Sequence, residues 1–221
     1  MDKPAIDGVI FDCDGTLVDS EKIGNEILVE HVAEFGLTIP IEEAVALFTG
    51  GQMSRAVAEL ERRLGEPLPT DFVPELRRRM ASAFRERLKP MPGARQLLGK
   101  LEIPFCIASN GPRDKMDVTL EATGLGGFFP PSKIVSAYDI NSWKPDPELF
   151  FRAARCLGVV PPRCAVVEDS KPGIDAGLAA GMFVFLLADE RPTGWVQERV
   201  WSVQHLEELE SFFGPGIGGV W

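Results

Sequence analysis

Five short apolar runs punctuate the chain: Val9–Phe11, Phe105–Ala108, Ile134–Val135, Ala165–Val167 and Phe183–Leu187. Each is continuous rather than alternating, and most contain β-branched or aromatic residues. That is how a strand reads when both faces of a parallel sheet are covered. Helix-length segments lie between the later runs, at about Ala94–Leu101, Asp114–Thr123, Pro147–Leu157 and Pro172–Ala180. Strands alternating with helices predict an α/β fold, a Rossmann-like core around a parallel sheet.

The first two runs depart from this rhythm, since more than ninety residues separate them, far more than one crossover helix needs. The intervening stretch has its own helical period. Ile23, Ile27, Val32 and Phe35 share a face that ends at Gly36. Ile41 to Phe48 follows Pro40 and stops at Gly50-Gly51. Ser54 is placed as an N-cap for Val57, Leu60 and Leu64, and Phe72, Leu76, Met80 and Phe84 mark a fourth helix. The expectation is a core built from residues 1–18 and 89–221, with an inserted four-helix-type cap at 19–88. Its hinges fall at Val18–Asp19 and Leu88–Pro92. The run Arg77-Arg78-Arg79 lies on the fourth helix and reads first as a solvated face, second as a substrate-facing one.

Length and charge narrow the picture. The 221 residues suffice for a core carrying a smaller domain, and the formal charge is −10. A chain this acidic is ill suited to nucleic acid or an anionic membrane. To hold an anion it needs a local device, and a bound cation is the obvious one. Cys13, Cys106, Cys156 and Cys164 form no CxxC pair and lie apart in sequence from His31 and His205. They read as reduced thiols, not as a zinc site or a disulfide framework. Neither a secretory leader nor a membrane span is evident, so the cytoplasm is the expected location. The glycine-rich stretch from Gly214 to Trp221 is expected to be loose.

Candidate chemistry gathers where strands end. The first strand runs into Asp12-Cys13-Asp14-Gly15-Thr16, the second into Ser109-Asn110-Gly111, and the fourth into Glu168-Asp169-Ser170. Open parallel sheets bind ligands at that edge. Capping of the following helices would explain any one of these clusters, but not all three together. Asp12, Asp14 and Asp169 brought close could not all stay ionised unaided. A hard divalent cation resolves the conflict, and Mg²⁺ combines carboxylates with substrate phosphate. Ser109 and Asn110 offer neutral donors, Gly111 allows close backbone approach, and Lys144 before Pro145-Asp146-Pro147 adds a point charge.

Taken in order, Asp12-x-Asp14-Gly15-Thr16, Ser109-Asn110-Gly111, Lys144-Pro145-Asp146-Pro147 and Glu168-Asp169 resemble the motif set of haloacid dehalogenase superfamily phosphatases with an α-helical cap. The resemblance spans about residues 5–190 and includes the long insertion after the first motif. It implies a phosphoric monoester hydrolase in which Asp12 is the nucleophile, forming an aspartyl-phosphate. Asp14 protonates the leaving alcohol and then activates water, with Thr16 holding Asp14 by a hydrogen bond. Ser109 and Lys144 hold the phosphoryl group. Mg²⁺ is taken by Asp12, the main-chain oxygen of Asp14 and Asp169, with Glu168 assisting.

Within that family, Asp14 argues against dehalogenase chemistry, and Lys22 is poorly placed for a Schiff base. A phosphomutase related to β-phosphoglucomutase remains as an alternative, although Ser20-Glu21-Lys22-Ile23-Gly24 lacks the expected cap histidine. A non-catalytic binding protein on the same fold is the third reading. Cap residues Glu21, Gly50, Gly51 and Arg55 are the candidate substrate contacts, with Arg55, or the backbone N–H groups near Gly50-Gly51, to meet a substrate carboxylate. The expected partner is a small phosphorylated sugar or sugar acid, 6-phosphogluconate before others. A monomer is favoured.

Overall fold

The computed structural model describes residues 5–48, 51–188 and 199–213. Six strands form one sheet: β1 (Gly8–Phe11), β2 (Phe105–Ser109), β3 (Ile134–Ser136), β4 (Cys164–Glu168), β5 (Phe183–Leu187) and β6 (Val200–Val203). Their spatial order is β3-β2-β1-β4-β5-β6, and every neighbouring pair is parallel. The order reverses direction at β1, so β1 sits at the switch point where an open sheet leaves a crevice beyond its C-terminal ends. β6 was not among the expected strands. Val200-Trp201-Ser202-Val203 buries only its two ends and carries no continuous apolar run.

Among the described residues, ten helices accompany the sheet: α1 (Glu21–Ala33), α2 (Ile41–Phe48), α3 (Met53–Leu64), α4 (Phe72–Arg87), α5 (Ala94–Lys100), α6 (Arg113–Ala122), α7 (Ala137–Ile140), α8 (Glu148–Leu157), α9 (Lys171–Ala179) and α10 (Glu210–Phe213). Residues alternate across the sheet. Val9 and Phe11 of β1 join a layer with Leu97 of α5, Met116 of α6 and Phe213 of α10. Ile10 faces the other way, toward Phe150 and Ala153 of α8 and Ile174 of α9. This is the expected α/β, Rossmann-like parallel-sheet architecture.

Helices α1–α4 enclose a separate cluster of Leu28, Val32, Ile39, Ala44, Leu60, Phe72 and Leu76. His31 is buried there, stacked on Phe72 with ring centroids 4.5 Å apart. The C-terminal half of α4 turns toward the core: Phe84 belongs to the sheet-side layer, and α4 packs on α6. The two connections run side by side, with Asp19 N donating to Lys89 O and Met91 N to Leu17 O. One capping expectation fails. Helix α3 starts at Met53 with Gln52 as its N-cap, which places Ser54 inside the first turn. Gly65 then ends α3 at φ +77°, a conformation that residues with a Cβ avoid. The expected contact Gly50 and the stretch from Gly214 to Trp221 lie outside the described residues.

Candidate active site

Asp12 follows β1 directly, and its backbone N donates to Val167 O of β4. That bond fixes it between the two central strands. Lys144 Nζ donates to Asp12 Oδ1 and, at 2.5 Å, to Glu168 Oε1. All three side chains are almost wholly excluded from solvent. Glu168 Oε2 is occupied as well, accepting from Asp169 N, Ser170 N and Ser170 Oγ. Glu168 thus ties Lys144 to the loop that leads into α9. The start of α9 fits closely over it, since a Cβ on Gly173 would overlap the Glu168 carboxylate. A glycine is required there for packing.

Burial pushes the Asp12 carboxyl up to about 7 against the pull of Lys144, with Glu168 adding to the rise. Burial also works against the Lys144 charge, but Asp12 and then Glu168 outweigh it and hold the ammonium above its ordinary range. Asp169 is raised by burial, then by Glu168 and Asp12. One carboxylate oxygen from each of Asp12, Glu168 and Asp169 lies within 4.8 Å of the others. Three carboxylates against one ammonium, with oxygen donors only, fit a hard divalent cation such as Mg²⁺. The Asp14 carboxylate lies outside this cluster. Its expected share in metal binding runs through its main-chain oxygen, so the two placements are compatible.

Asp14 makes separate contacts. Ser20 Oγ donates to its Oδ1 at 2.5 Å, and Lys115 Nζ lies 2.9 Å from its Oδ2. Burial would raise this carboxyl, but Lys115 and the Ser20 bond outweigh it and hold it below the usual carboxylate range. Here the structure corrects the assignment of Thr16. Thr16 Oγ1 donates to Asp169 Oδ1 at 2.9 Å, not to Asp14. The turn at Gly15, φ +79°, lays the chain against Asp169 so closely that a Cβ on Gly15 would strike its carboxylate. The hydroxyl that follows is therefore beside Asp169, and Ser20 at the start of α1 takes over the restraint of Asp14.

The second strand end behaves as a scaffold as much as a donor set. Ser109 Oγ accepts from Gly111 N, and Ser136 Oγ donates to Gly111 O at 2.7 Å. Asn110 Oδ1 accepts from Lys144 N at 2.9 Å, so Asn110 sets the loop that delivers the lysine. Ser109 and Lys144 open onto the same cavity as Asp12 and Asp14.

That cavity, about 460 Å³, lies between the strand ends and α1, α3 and α4. It is of ordinary size for a small ligand. Glu21 lines it, and burial followed by the Asp14 charge pushes its carboxyl up to about 7. Gly51, Gln52, Met53 and Ala56 form the α3 side. Arg55 does not line it: it is exposed, on a different face of α3 from Met53 and Ala56. Arg77 and Arg78 of α4 do line it, so the solvated reading of that run holds only in part. Lys115 was not among the expected site residues. A lysine in a helix reads as solvated, and its partner Asp14 is distant in sequence.

Comparison with known proteins agrees with this geometry. The family model of haloacid dehalogenase-like hydrolases matches residues 6–181, and the chain belongs to that family. It is an enzyme, a hydrolase, and the named relatives below are phosphatases. It is 37% identical to the 6-phosphogluconate phosphatase of Escherichia coli (strain K12) over 92% of this chain and 93% of that one. With hexitol phosphatase A of the same organism it shares 30% identity, over 91% of this chain and 92% of that one. A crystal structure of a hydrolase of this family from Deinococcus radiodurans R1, with bound phosphate and sodium, superposes with a TM-score of 0.73 at 31% identity. The match covers 94% of this chain and 95% of that one.

Proposed function

We propose that this hydrolase is a Mg²⁺-dependent phosphatase of a small phosphorylated sugar or sugar acid, with 6-phosphogluconate the first candidate, acting in the cytoplasm. The observation that carries the reading is one cavity edge at which Asp12, braced by Lys144, meets an all-oxygen acidic cluster while Asp14 stands apart with its own lysine. Two carboxylates in different environments suit two different tasks. No helix among the described residues is long and apolar enough to cross a membrane.

Asp12 attacks phosphorus, the P–O bond to the alcohol breaks, and Asp14 gives that oxygen its proton. Water then attacks the aspartyl-phosphate, Asp14 takes a proton from it, and inorganic phosphate leaves with Asp12 restored. Lys115 keeps Asp14 ionised in the free enzyme, and an arriving phosphate favours its protonated form by like-charge proximity. Ser109 and Lys144 orient the phosphoryl oxygens. The metal, where bound by Asp12, Asp169 and the main chain of Asp14, supplies positive charge beside the transferring group. Residues 19–88 act as the lid, excluding water before the first step and admitting one molecule for the second.

His31 is buried in the helical bundle against Phe72 and does not line the cavity, which favours hydrolysis over a mutase cycle. The test is turnover of 6-phosphogluconate, glucose 6-phosphate, β-glucose 1-phosphate, fructose 1-phosphate and phosphoglycolate, with Mg²⁺ and in excess chelator, for wild type and Asp12→Asn. We expect phosphate release from the sugar acid ester, lost in chelator and lost in the variant. Undiminished turnover by folded Asp12→Asn would refute the covalent mechanism. Conversion of β-glucose 1-phosphate to glucose 6-phosphate would establish the mutase.

A further inference from the structure

Among the described residues, four cations line the cavity: Arg77, Arg78, Lys115 and Lys144. Three are committed to acids. Lys144 serves Asp12 and Glu168, and Lys115 serves Asp14. Arg78 makes two hydrogen bonds at 2.7 Å to Glu75. Glu75 also accepts from Arg79, which reaches Glu34 as well. The helix explains this division. Positions three and four residues beyond Glu75 lie on its face, whereas the position two residues beyond lies on another. Arg77 holds that position, and among the described residues it pairs with no carboxylate. Its guanidinium instead lies over the ring of Tyr138, 5.9 Å from the centroid. Arg77 belongs to the lid and Tyr138 to the core, and both line the cavity.

A half-buried guanidinium with no acid beside it is poised for an anion, and its planar set of N–H donors matches a carboxylate. Elsewhere the wall repels a second negative charge, through Asp12, Asp14, Glu21 and Asp169. We propose that Arg77, resting on Tyr138, receives a carboxylate carried by the leaving alcohol. It would thereby select phosphorylated sugar acids over neutral sugar phosphates. The proposal rests on the phosphatase reading and moves the role expected of Arg55 to a residue that faces the cavity.

The test uses Mg²⁺-supplemented enzyme turning over an aryl phosphate, with gluconate and its neutral counterpart glucitol as competitive inhibitors. Arg77→Gln should weaken gluconate binding about tenfold to a hundredfold, the span of a charge-assisted contact, and glucitol binding by less than about twofold. Arg77→Lys should fall between, keeping the charge without the planar fork. A thermal melt confirms that each variant is folded. Equal weakening of both inhibitors, or a wild type that binds gluconate no better than glucitol, overturns the proposal. If 6-phosphogluconate is not hydrolysed but gluconate discrimination is present and lost in Arg77→Gln, the named substrate falls and the carboxylate subsite stands. Absence of aryl phosphate turnover would sink both.

Discussion

Replacing Lys144 by Met should destabilise the metal-free protein by up to about 3–5 kcal/mol at pH 9, the range for removing one partner of a buried ion pair, and by much less below pH 7, where Asp12 is largely protonated in wild type too. The Lys144 side chain is 2% exposed, and those of its partners Asp12 and Glu168 are 10% and 0% exposed. Methionine is apolar and of similar length, and its sulfur can meet Phe150 in a weaker sulfur–aromatic contact where the ammonium made a cation–π one. The perturbation is therefore mainly one of charge. Without the ammonium, the Asp12 carboxylate is left beside Glu168 and Asp169 with no partner cation, and it relaxes by taking up a proton. Asp12 already stands at about 7 through burial, even with Lys144 pulling it down. Loss of Lys144 raises it further. A carboxyl whose folded pKa exceeds its unfolded value of roughly 3.9 binds protons better when folded. Its penalty is therefore absent below the unfolded value and grows as pH rises to the folded one. Each further unit of upward shift removes about 1.4 kcal/mol of stability above both values. Urea unfolding in chelator, followed by circular dichroism at pH 6, 7, 8 and 9, should show the gap between variant and wild type opening above pH 7, where wild-type Asp12 ionises. A variant within about 1 kcal/mol of wild type at pH 9, below the buried-pair range, or a gap constant across pH, would refute the reasoning.

Asp14→Asn should lower kcat roughly 10²–10⁴-fold, and it should also lower the urea midpoint because Lys115 loses its partner; turnover by the folded variant within a factor of about three of wild type, far short of that range, would remove Asp14 from the proton path. Glu21→Gln tests the lid carboxyl that burial pushes up to about 7. Because that folded pKa is raised, ionisation works against folding increasingly as pH climbs from about 4.5 to 7. The variant should therefore match wild type near pH 4.5 and exceed it by about 1 kcal/mol at pH 8, a figure reduced for the group's partial exposure to solvent. A less stable variant at pH 8 would show that Glu21 is held ionised by a favourable partner.

How far the sequence spoke depended on whether neighbours in the chain were also neighbours in space. The central strands were legible because each is a continuous apolar run, and their polar ends, Asp12, Ser109 and Glu168, follow with no gap. The strand β6 was not legible, since Ser202 interrupts it and only Val200 and Val203 are buried. Thr16 was assigned to Asp14 because the two lie close in sequence, yet the Gly15 turn carries its hydroxyl to Asp169, 153 positions away. Lys115 stayed hidden for the same reason, its acid partner lying in the first motif. Arg55 and Arg77 sit on neighbouring helices of the same bundle and look alike as letters. What separates them is the rotation of α3 and α4 about their axes, fixed by packing around Leu60, Phe72 and Leu76.

The same packing bears on how an acidic chain can admit an anion at all. The inner site sets Asp12, Asp14, Glu168 and Asp169 against Lys115 and Lys144. With all six ionised it would carry excess negative charge, and each lysine is already in contact with an acid. A phosphate dianion gains little from cations whose fields are largely cancelled by carboxylates within hydrogen-bond reach. Neutralisation must therefore come from protons, as the raised Asp12 and Asp169 indicate, or from a cation on the acidic cluster. Arg77 lies outside that balance. Its charge is uncompensated among the described residues, and it faces the cavity from the lid side, so the attraction it exerts falls on the part of the ligand that is not phosphate. Under the proposed assignment, chemistry and selection fall on different elements: strand ends held by the sheet, and the turn of α4 that carries Arg77.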